Sequence, residues 1–439
     1  MTNGRILAYG LLGLPLAFAA LPIYVHVPRF YAEAAGMELA LLGAILLGAR
    51  LLDAGIDPWL GWLADRVRRP RMVAIALIPF ALGFVTLLNP PAQNAGWWLL
   101  GSLALTYIGF SAASVAYQAW GADIGENSGL RTRLTAAREG FGLLGVVLAA
   151  ALPAVIASSM VDGVARLAWI LPPLLLLAAL ITFASLLPLY GPKGRYPVGQ
   201  GGGREGDGFL KPKTHPRPSP PLEGEGVERA LLPSLRRVLA DQSFRHLLLV
   251  FVANGIASAL PATLFLFFVA DVLQLESASG PLLALYFVSG AASLPLWVKL
   301  ASQRGRVFAW GCAMALSIIA FAGASLLGSG DLLPFALICL ASGLALGADL
   351  TLPAAIAADI GERQGQAGAC FGVWNFVAKL NLALAAGLSL PLLGLLGYVP
   401  GGSSGLTSLT FAYALLPLAF KALAGLLLWR WRHSLEIRT

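Results

Sequence analysis

Charged residues are scarce in this chain: only 12% of its 439 residues are Asp, Glu, Lys or Arg, whereas 58% are hydrophobic. Its three cysteines have no histidine neighbours at metal-ligand spacing, and its four histidines form no cluster. Glycine-rich phosphate loops, nucleophile motifs and zinc signatures are missing as well. These absences argue against an enzyme, a bound metal and a cofactor. The composition and a mean hydropathy of +0.76 also exclude a soluble protein and predict one that lies in a lipid bilayer.

Long apolar runs account for most of the sequence. A helix needs about 20 apolar residues to cross the hydrocarbon core of a bilayer. Twelve such runs lie near 6–28, 38–63, 72–90, 96–119, 139–159, 166–190, 246–270, 280–300, 307–328, 332–356, 367–396 and 406–431. The loops between them are short and rich in Pro, Gly and charge, which suits helices that satisfy their own backbone hydrogen bonds. The sequence predicts an all-α integral membrane protein with twelve transmembrane helices.

Basic residues are unevenly distributed over the predicted loops. The net charge is +8, and with the amino terminus inside the cell, most of the 30 Lys and Arg residues fall on the cytoplasmic side, with only Arg29 and Arg166 outside. This positive-inside bias predicts a multi-pass protein of the cell membrane with both termini in the cytoplasm, and it argues against nucleic-acid binding. The first apolar run has a weak basic start and no clear cleavage site. We therefore expect a retained helix, with a signal peptide as the alternative.

Two short segments recur at one offset and indicate an internal duplication. Residues 121–126 (GADIGE) reappear as 357–362 (AADIGE), 236 positions later. Residues 58–60 (PWL) and the Arg-rich turn after them are echoed, within one residue of that offset, by 295–297 (PLW) and a second Arg-rich turn. Parallel halves in a membrane protein are typical of a transporter whose site lies between them.

A polar segment at 191–244 separates the two predicted halves. It contains three consecutive glycines and the Pro-rich run 215–221, and such a composition buries too little apolar area to fold. We expect a flexible cytoplasmic linker that ends in a short amphipathic helix over 228–240, with a regulatory or partner-binding tail as the alternative. The predicted domains are a six-helix bundle at 1–190, this linker, and a second six-helix bundle at 245–439.

The second predicted helix carries three charges on one face. Arg50, Asp53 and Asp57 are spaced i, i+3 and i+7. Unpaired charge in hydrocarbon is costly, so this face is expected to look toward a polar cavity or a partner. Two carboxylates four residues apart repel each other when both are ionised, which favours a proton on one of them and makes it a candidate proton carrier. A structural ion pair between Arg50 and Asp53 is the alternative, but it leaves Asp57 without a partner.

The eleventh predicted helix carries a lysine about a dozen residues from its start, a depth from which snorkelling is difficult. Lys379 is therefore expected to meet an acidic partner or a water-filled cavity. Asp53 and Asp57, across the interface between the halves, are the candidate partners. The alternative is that Lys379 lies nearer the membrane boundary. Trp374 and Asn375, about one turn earlier, offer a stacking face and a hydrogen-bonding group to a solute. Packing against lipid or another helix explains Trp374 equally well. Lys421, in the twelfth helix, has no comparable supporting neighbours.

These residues resemble the major facilitator superfamily and, within it, the glycoside-pentoside-hexuronide:cation symporters, whose best-known members are melibiose permeases. Residues 52–58 (LDAGIDP) look like that family's helix-two cation motif, and 61–69 (GWLADRVRR) like the superfamily's inner-loop motif. Residues 374–379 (WNFVAK) followed by 397–400 (GYVP) are similar to the family's eleventh helix and its exit. The resemblance covers almost the whole chain outside the linker. It implies the major facilitator fold, with twelve helices in two six-helix bundles.

The resemblance also implies roles for particular residues. Asp53 and Asp57 would bind the coupling cation, Lys379 would link the cation and substrate sites, and Arg50 would neutralise the cluster. The residues implied or suggested at the substrate are Tyr117, which replaces an aromatic residue that stacks on sugar, Arg138 in the fifth helix, Trp374 and Asn375. The residues assigned to the inner-loop, or gating, motif are Gly61, Asp65, Arg66 and Arg69.

Four departures from the family pattern affect the expected ion and solute. Ile56 stands where sodium-using members have an asparagine ligand, and Phe110 stands in the place of a hydroxyl ligand. Ala113 and Ala17 replace carboxylates that grip sugar hydroxyls in galactoside transporters. A sodium ion needs several oxygen ligands, whereas a proton needs one basic carboxylate. Proton coupling is therefore favoured, sodium stays an alternative, and a melibiose-like substrate is not expected.

The sequence thus predicts a monomeric, cation-coupled symporter of a small polar solute, such as a sugar or glycoside, that works by alternating access. Within the same fold, the alternatives are a lysolipid-type transporter and an exporter. Outside it, the alternative is a membrane sensor that does not transport and uses the linker as its output. A membrane enzyme would need a nucleophile, metal ligands or a donor-binding motif near the carboxylates, and the sequence has none of these.

Overall fold

The fold was analysed in a computed structural model, which describes residues 1–23, 27, 30–31, 39–91, 94–157, 160–189, 227–398 and 404–436. The helices before the linker are α1 (Asn3–Leu11), α2 (Gly13–Leu21), α3 (Leu39–Ala64), α4 (Arg69–Leu87), α5 (Ala95–Ile124), α6 (Ser128–Ile156) and α7 (Met160–Leu186). The 3₁₀ turn Leu187–Leu189 follows α7.

The helices after the linker are α8 (Val227–Ala240), α9 (Gln242–Phe267), α10 (Ser279–Arg304), α11 (Arg306–Ala324), α12 (Leu332–Gln364), α13 (Ala367–Leu395), α14 (Leu406–Thr410), α15 (Leu416–Arg430) and α16 (Arg432–Leu435). A π-helical turn at Phe268–Val272 extends α9, and another at Phe411–Leu415 joins α14 to α15. Glu276–Ala278 is a 3₁₀ turn before α10. Within the described residues the secondary structure is helical throughout.

Ten stretches of the described chain are long and apolar enough to cross a membrane, and each overlaps one of the predicted spans. The second predicted span corresponds to α3, which at 26 residues is also long enough to cross. The first predicted span, 6–28, is represented by α1 and α2, two nine-residue helices joined at Leu12, and it lies partly outside the described residues. The count of twelve crossings therefore stays a prediction.

Several helices extend beyond the apolar runs that predict them. The fifth predicted span begins at 139, whereas α6 begins at Ser128, where the Asn127 side chain accepts a hydrogen bond from the Leu130 amide at 2.8 Å. The tenth predicted span ends at 356, whereas α12 continues to Gln364. Hydropathy marks the part of a helix that lies in hydrocarbon, and polar turns at its ends escape it. As a consequence Arg138, expected near the inner end of its helix, lies about ten residues inside α6.

Helices from the two sides of the linker contact each other. The helices α3 and α5 pack on α13, and α5 and α6 pack on α12, with α6 also packing on α10. The contact between α3 and α13 is close because glycines meet there. A Cβ atom on Gly61 would lie 2.3 Å from the Gly368 carbonyl oxygen, and one on Gly372 would lie 2.5 Å from the Asp57 carbonyl oxygen. Small residues at this spacing allow helix backbones in membranes to approach closely.

The predicted duplication has a counterpart in three-dimensional contacts. On α4, the Arg69 Nη1 atom donates to the Ala119 carbonyl at 2.9 Å, and Arg69 also pairs with Asp123. On α11, the Arg306 Nη1 atom donates to the Ala355 carbonyl at 3.0 Å, and Arg306 pairs with Asp359. Each partner in the second set lies 236 or 237 positions after its equivalent. The same helix-to-helix clamp is therefore built twice.

The predicted linker lies mostly outside the described residues. Its last part is described and forms α8 over Val227–Ala240, which confirms the amphipathic helix expected over 228–240. The next helix, α9, begins at Gln242, two residues before the predicted end of the linker. The division into domains at 1–190, 191–244 and 245–439 stays a prediction.

Candidate functional site

A buried ion cluster joins α3 to α13, as the sequence predicted for Lys379. The Lys379 Nζ atom lies 2.7 Å from Oδ1 of Asp53 and 2.8 Å from Oδ2 of Asp57. It also donates to the Ser111 hydroxyl at 2.8 Å and approaches the Asp53 carbonyl at 3.3 Å. Four oxygen atoms thus surround one ammonium group.

The two carboxylates of the cluster are held differently. Asp53 is 4% exposed, and its Oδ1 accepts both from Lys379 and from the Ser111 hydroxyl, the latter at 2.7 Å. Asp57 is fully buried, and its Oδ1 has no hydrogen-bond partner among the described residues. A buried carboxylate oxygen without a partner is costly and calls for a ligand such as a proton, an ion or water. Oδ1 of Asp57 therefore differs from Oδ1 of Asp53, which already accepts from two donors.

Ser111 is the residue of this cluster that the sequence analysis missed. The family pattern directed attention to position 110, where Phe110 packs against Phe80 with ring centroids 5.7 Å apart. The hydroxyl comes instead from the next residue of α5, which is 1% exposed and faces α3. Phe110 therefore supplies no hydroxyl to the cluster, whereas its neighbour Ser111 supplies one. A search for Ser or Thr within one residue of the family position would have found it.

Arg50 lies one turn before Asp53 on α3. It faces the Tyr107 hydroxyl of α5, which also lies near Asp53. Asp53 itself pairs with Lys379, so both carboxylates of the predicted cluster share one ammonium group. Asp53, Asp57 and Lys379 together carry a formal charge of −1, and Arg50 adds a positive charge on the same side of α3.

Tyr117 and Arg138 lie together, but their described contacts do not include the ion cluster. The Tyr117 hydroxyl donates to the Tyr9 carbonyl, and the two tyrosine rings lie 4.6 Å apart. Arg138 faces both tyrosines and donates through Nε to Glu139 at 3.0 Å. Along α5, Tyr117 is six residues from Ser111, which corresponds to about 9 Å at 1.5 Å per residue. The structure thus places these two residues in a separate polar group within the first half.

Trp374 and Asn375 lie on α13 one turn before Lys379. The Trp374 ring stacks on Phe251 of α9 with centroids 3.7 Å apart and is only 6% exposed. Helix packing, the alternative weighed from the sequence, is therefore the arrangement seen for Trp374. Asn375 is half-buried.

The predicted gating motif lies where α3 meets the start of α13. Asp65 accepts from the Gly368 amide at 2.7 Å and from the Ala369 amide at 2.8 Å, so it caps α13 across the half interface. The Arg69 Nη2 atom donates to Oδ1 of the same carboxylate at 3.0 Å. Burial raises the pKa of Asp65, and Arg69 and the two amides oppose that rise.

Arg66 takes no part in that cap. Its guanidinium carbon lies 3.9 Å from the centroid of the Trp62 ring, and the side chain is exposed. A second link between the halves is made by Arg131 of α6, whose Nη1 lies 2.9 Å from Asp359 of α12. Among the described residues, a helix cap and an ion pair thus cross between the halves at the ends that carry the predicted gating motif, here called the inner ends.

Another buried ion pair lies within the second half. Lys421 of α15 is 2.5 Å from Oδ2 of Asp349 on α12, and the Trp310 indole donates to Oδ1 of the same carboxylate at 2.9 Å. Lys421 is 4% exposed and also reaches the Ser258 hydroxyl at 3.3 Å. The sequence offers no supporting neighbours for Lys421 along its own helix, because its partner lies 72 residues away on another helix.

Each comparison with known proteins finds transporters. A family model described as MFS/sugar transport protein matches residues 6–190 and 213–434. An uncharacterized symporter of Synechocystis sp. is 23% identical over 507 aligned positions, which cover 96% of this chain and 92% of that protein. The human organic anion transporter MFSD10 has a TM-score of 0.66 at 19% identity, covering 96% of this chain and all of the other. The Escherichia coli fucose:proton symporter FucP has a TM-score of 0.63 at 13% identity, covering 96% and 99%. At these identities the structural likeness shows the fold alone.

Proposed function

The chain belongs to the MFS/sugar transport protein family and has the major facilitator fold of secondary transporters, and from this premise we propose that it is a proton-coupled symporter of a small polar solute, such as a sugar or glycoside. It works by alternating access as a monomer in the cell membrane, with both termini in the cytoplasm, and it catalyses no chemical reaction. Asp53, Asp57, Lys379 and Arg50 form the coupling site.

The observation that carries this proposal is the ion cluster between the halves. Lys379 comes from α13 of the second half, and its partners come from α3 and α5 of the first. Any rearrangement that separates these helices breaks ion pairs in a buried place, where lost charge pairing is expensive. A proton on Asp57 lowers that cost because it neutralises one of the two carboxylates that hold the lysine. Proton binding and the movement of the halves are thereby coupled.

Asp57 is assigned as the proton carrier and Asp53 as the lysine anchor. Oδ1 of Asp57 has no hydrogen-bond partner among the described residues, whereas Oδ1 of Asp53 already accepts from Lys379 and Ser111. After Asp57 takes a proton, Lys379 keeps its contact with Asp53. The solute then meets a site with one fewer negative charge, and Tyr117 and Arg138 in the first half remain the candidate groups that contact it.

Sodium coupling is the second candidate, and Ser111 favours it. The four oxygens that surround the Lys379 ammonium group also suit a monovalent metal ion if that lysine moves aside. Ile56 and Phe110 supply no oxygen, so the site is less complete than a sodium site needs. The experiment below separates the two ions.

The proposal is tested by pH changes in energised, right-side-out vesicles on addition of a panel of sugars and glycosides. We expect alkalinisation of the external medium with the correct solute, and loss of that signal in Asp57→Asn. Glu276→Gln, an exposed carboxylate outside the cluster, serves as a control and retains the signal. A signal that needs sodium and shows no proton movement would replace protons with sodium as the coupling ion. Solute uptake that is unchanged in Asp57→Asn would refute the assignment, and binding without flux would favour a sensor.

A further inference from the structure

The amphipathic helix α8 lies outside the predicted spans and directly precedes one of them. It ends at Ala240, and α9, which is long and apolar enough to cross the membrane, begins at Gln242. Asp241, the residue between them, caps α9 by accepting from the Phe244 amide at 2.8 Å. A single connecting residue keeps the end of α8 next to the start of this predicted crossing, where an amphipathic helix is favoured at the boundary between lipid headgroups and water.

One face of α8 is buried against helices from both halves. Val238 is fully buried and Ser234 is 7% exposed, and the helix packs on α3 from the first half and on α9 and α13 from the second. Gln366, in the turn before α13, donates to the Ser234 carbonyl at 3.3 Å and accepts from Arg237 at 2.9 Å when its amide is oriented to satisfy both. The helix α8 thus lies across the seam where Asp65 caps α13.

The opposite face of α8 presents two large apolar side chains and a cation. Leu232 is 67% exposed and Leu239 is 43% exposed, and their seven-residue spacing places them on one side of the helix. Arg236 lies between them on the same side and is also exposed. Exposed leucines are unfavourable in water but favourable at the edge of a bilayer, and a neighbouring arginine matches the negative charge of acidic phospholipids.

We propose that α8 binds acidic phospholipid in the adjacent leaflet through the face formed by Leu232, Arg236 and Leu239, and that this binding holds the inner ends of the two halves together. The bilayer is the occupant of this face because α8 continues directly into a predicted crossing. Since α8 contacts both halves, lipid that anchors it stabilises the arrangement in which α3 and α13 touch. The inference rests on the proposed alternating-access cycle.

The chain contains its own reporter for the test. Cys370 lies on α13, is fully buried, and faces Asp65 of the first half and Asp241 at the α8–α9 junction. Separation of α3 from α13 exposes this thiol. With the other cysteines replaced by Cys312→Ala and Cys339→Ala, the rate of maleimide modification at Cys370 measures how often the inner ends open.

The experiment uses the full-length protein in nanodiscs of phosphatidylcholine, with and without phosphatidylglycerol. A basic residue near an acidic membrane surface contributes about 1 kcal/mol, so we expect phosphatidylglycerol to slow modification of Cys370 about five-fold. In Arg236→Gln the ratio of the two rates falls to about one, and Leu232→Gln combined with Leu239→Gln also reduces it. Arg363→Gln removes an exposed arginine of α12 outside α8 and retains the five-fold ratio. Soluble glycerol phosphate leaves the rate unchanged, because the headgroup alone does not anchor the helix.

Three results would contradict the reasoning, two of them the lipid inference and one the proposed alternating access. If phosphatidylglycerol slows modification equally in the intact chain and in Arg236→Gln, α8 does not mediate the lipid effect and this inference is wrong. The same holds if the lipid has no effect at all while Cys370 still reacts. If Cys370 reacts in neither lipid, although it reacts once the protein is unfolded, the inner ends do not open, and the proposed alternating access is what fails.

Discussion

Replacing Lys379 by glutamine tests the ion cluster most directly. The ammonium group lies 2.7 and 2.8 Å from two buried carboxylates. At an effective dielectric constant of about 20, each such contact is worth about 6 kcal/mol before the cost of desolvation is subtracted. Breaking a buried pair by removal of one partner typically costs about 3–5 kcal/mol. In Lys379→Gln the formal charge of the three-residue cluster changes from −1 to −2, so we expect a loss of unfolding free energy in that range at alkaline pH.

The loss should depend on pH in a definite direction. Without the ammonium group the two carboxylates repel each other, and a proton on either one removes that repulsion, so the folded variant recovers stability as pH falls. We therefore expect the deficit of Lys379→Gln relative to the parent protein to be largest near pH 8 and to shrink toward pH 5. The measurement is the unfolding of the purified protein by a denaturing detergent at several pH values.

A double-mutant cycle with Asp57→Asn supplies the control. The double variant has one carboxylate and no lysine, so its cluster returns to −1, and it should be more stable at pH 8 than Lys379→Gln alone. A coupling free energy near zero between the two substitutions would mean that Lys379 and Asp57 do not interact. A deficit that is equally large at pH 5 and pH 8 would show that the cost comes from packing rather than from charge. Either result would remove the basis for proton coupling through this cluster.

Three further predictions concern the contacts between and within the halves. Gly61→Val should open the inner ends and speed the modification of Cys370 by maleimide, because the new Cβ would lie 2.3 Å from a backbone oxygen of α13. Gly101→Val, which has open space around it, should leave the rate unchanged. Asp65→Ala removes two amide hydrogen bonds and one ion pair. It should therefore raise the same rate at least ten-fold, since each charge-assisted bond contributes about 1.5–3 kcal/mol; an unchanged rate would show that the cap does not hold the halves together. Lys421→Met should lower the unfolding free energy by about 3–5 kcal/mol, because it leaves Asp349 buried without its cation. The double variant with Asp349→Leu should recover most of that loss, because an apolar pair then replaces a buried ion pair. If unfolding in detergent shows no recovery, this account is wrong.

Local features of the sequence determined the membrane class and the faces of individual helices. Apolar runs longer than the bilayer is thick require transmembrane helices whatever their neighbours are. The i, i+3 and i+7 spacing places Arg50, Asp53 and Asp57 on one side of α3 because the helical repeat is fixed at 3.6 residues. A lysine deep in an apolar helix must find a partner, and so Lys379 could be matched with the acidic residues of α3. The repeat also predicted two related halves, and the equivalent clamps of Arg69 and Arg306 agree with it.

Only the tertiary structure decided which side chains meet between helices. Ser111 enters the cluster and Phe110 does not, because the rotation of α5 against α3 selects one residue of two neighbours, and nothing local fixes that angle. The axial offset between α12 and α15 pairs Asp349 with Lys421, and the packing of α13 on α9 places Trp374 against Phe251. These choices depend on how helices dock over many residues at once, and the gain from each contact is realised only after that docking. The sequence by itself therefore determined that the charges must be paired, whereas the arrangement of the helices decided their partners.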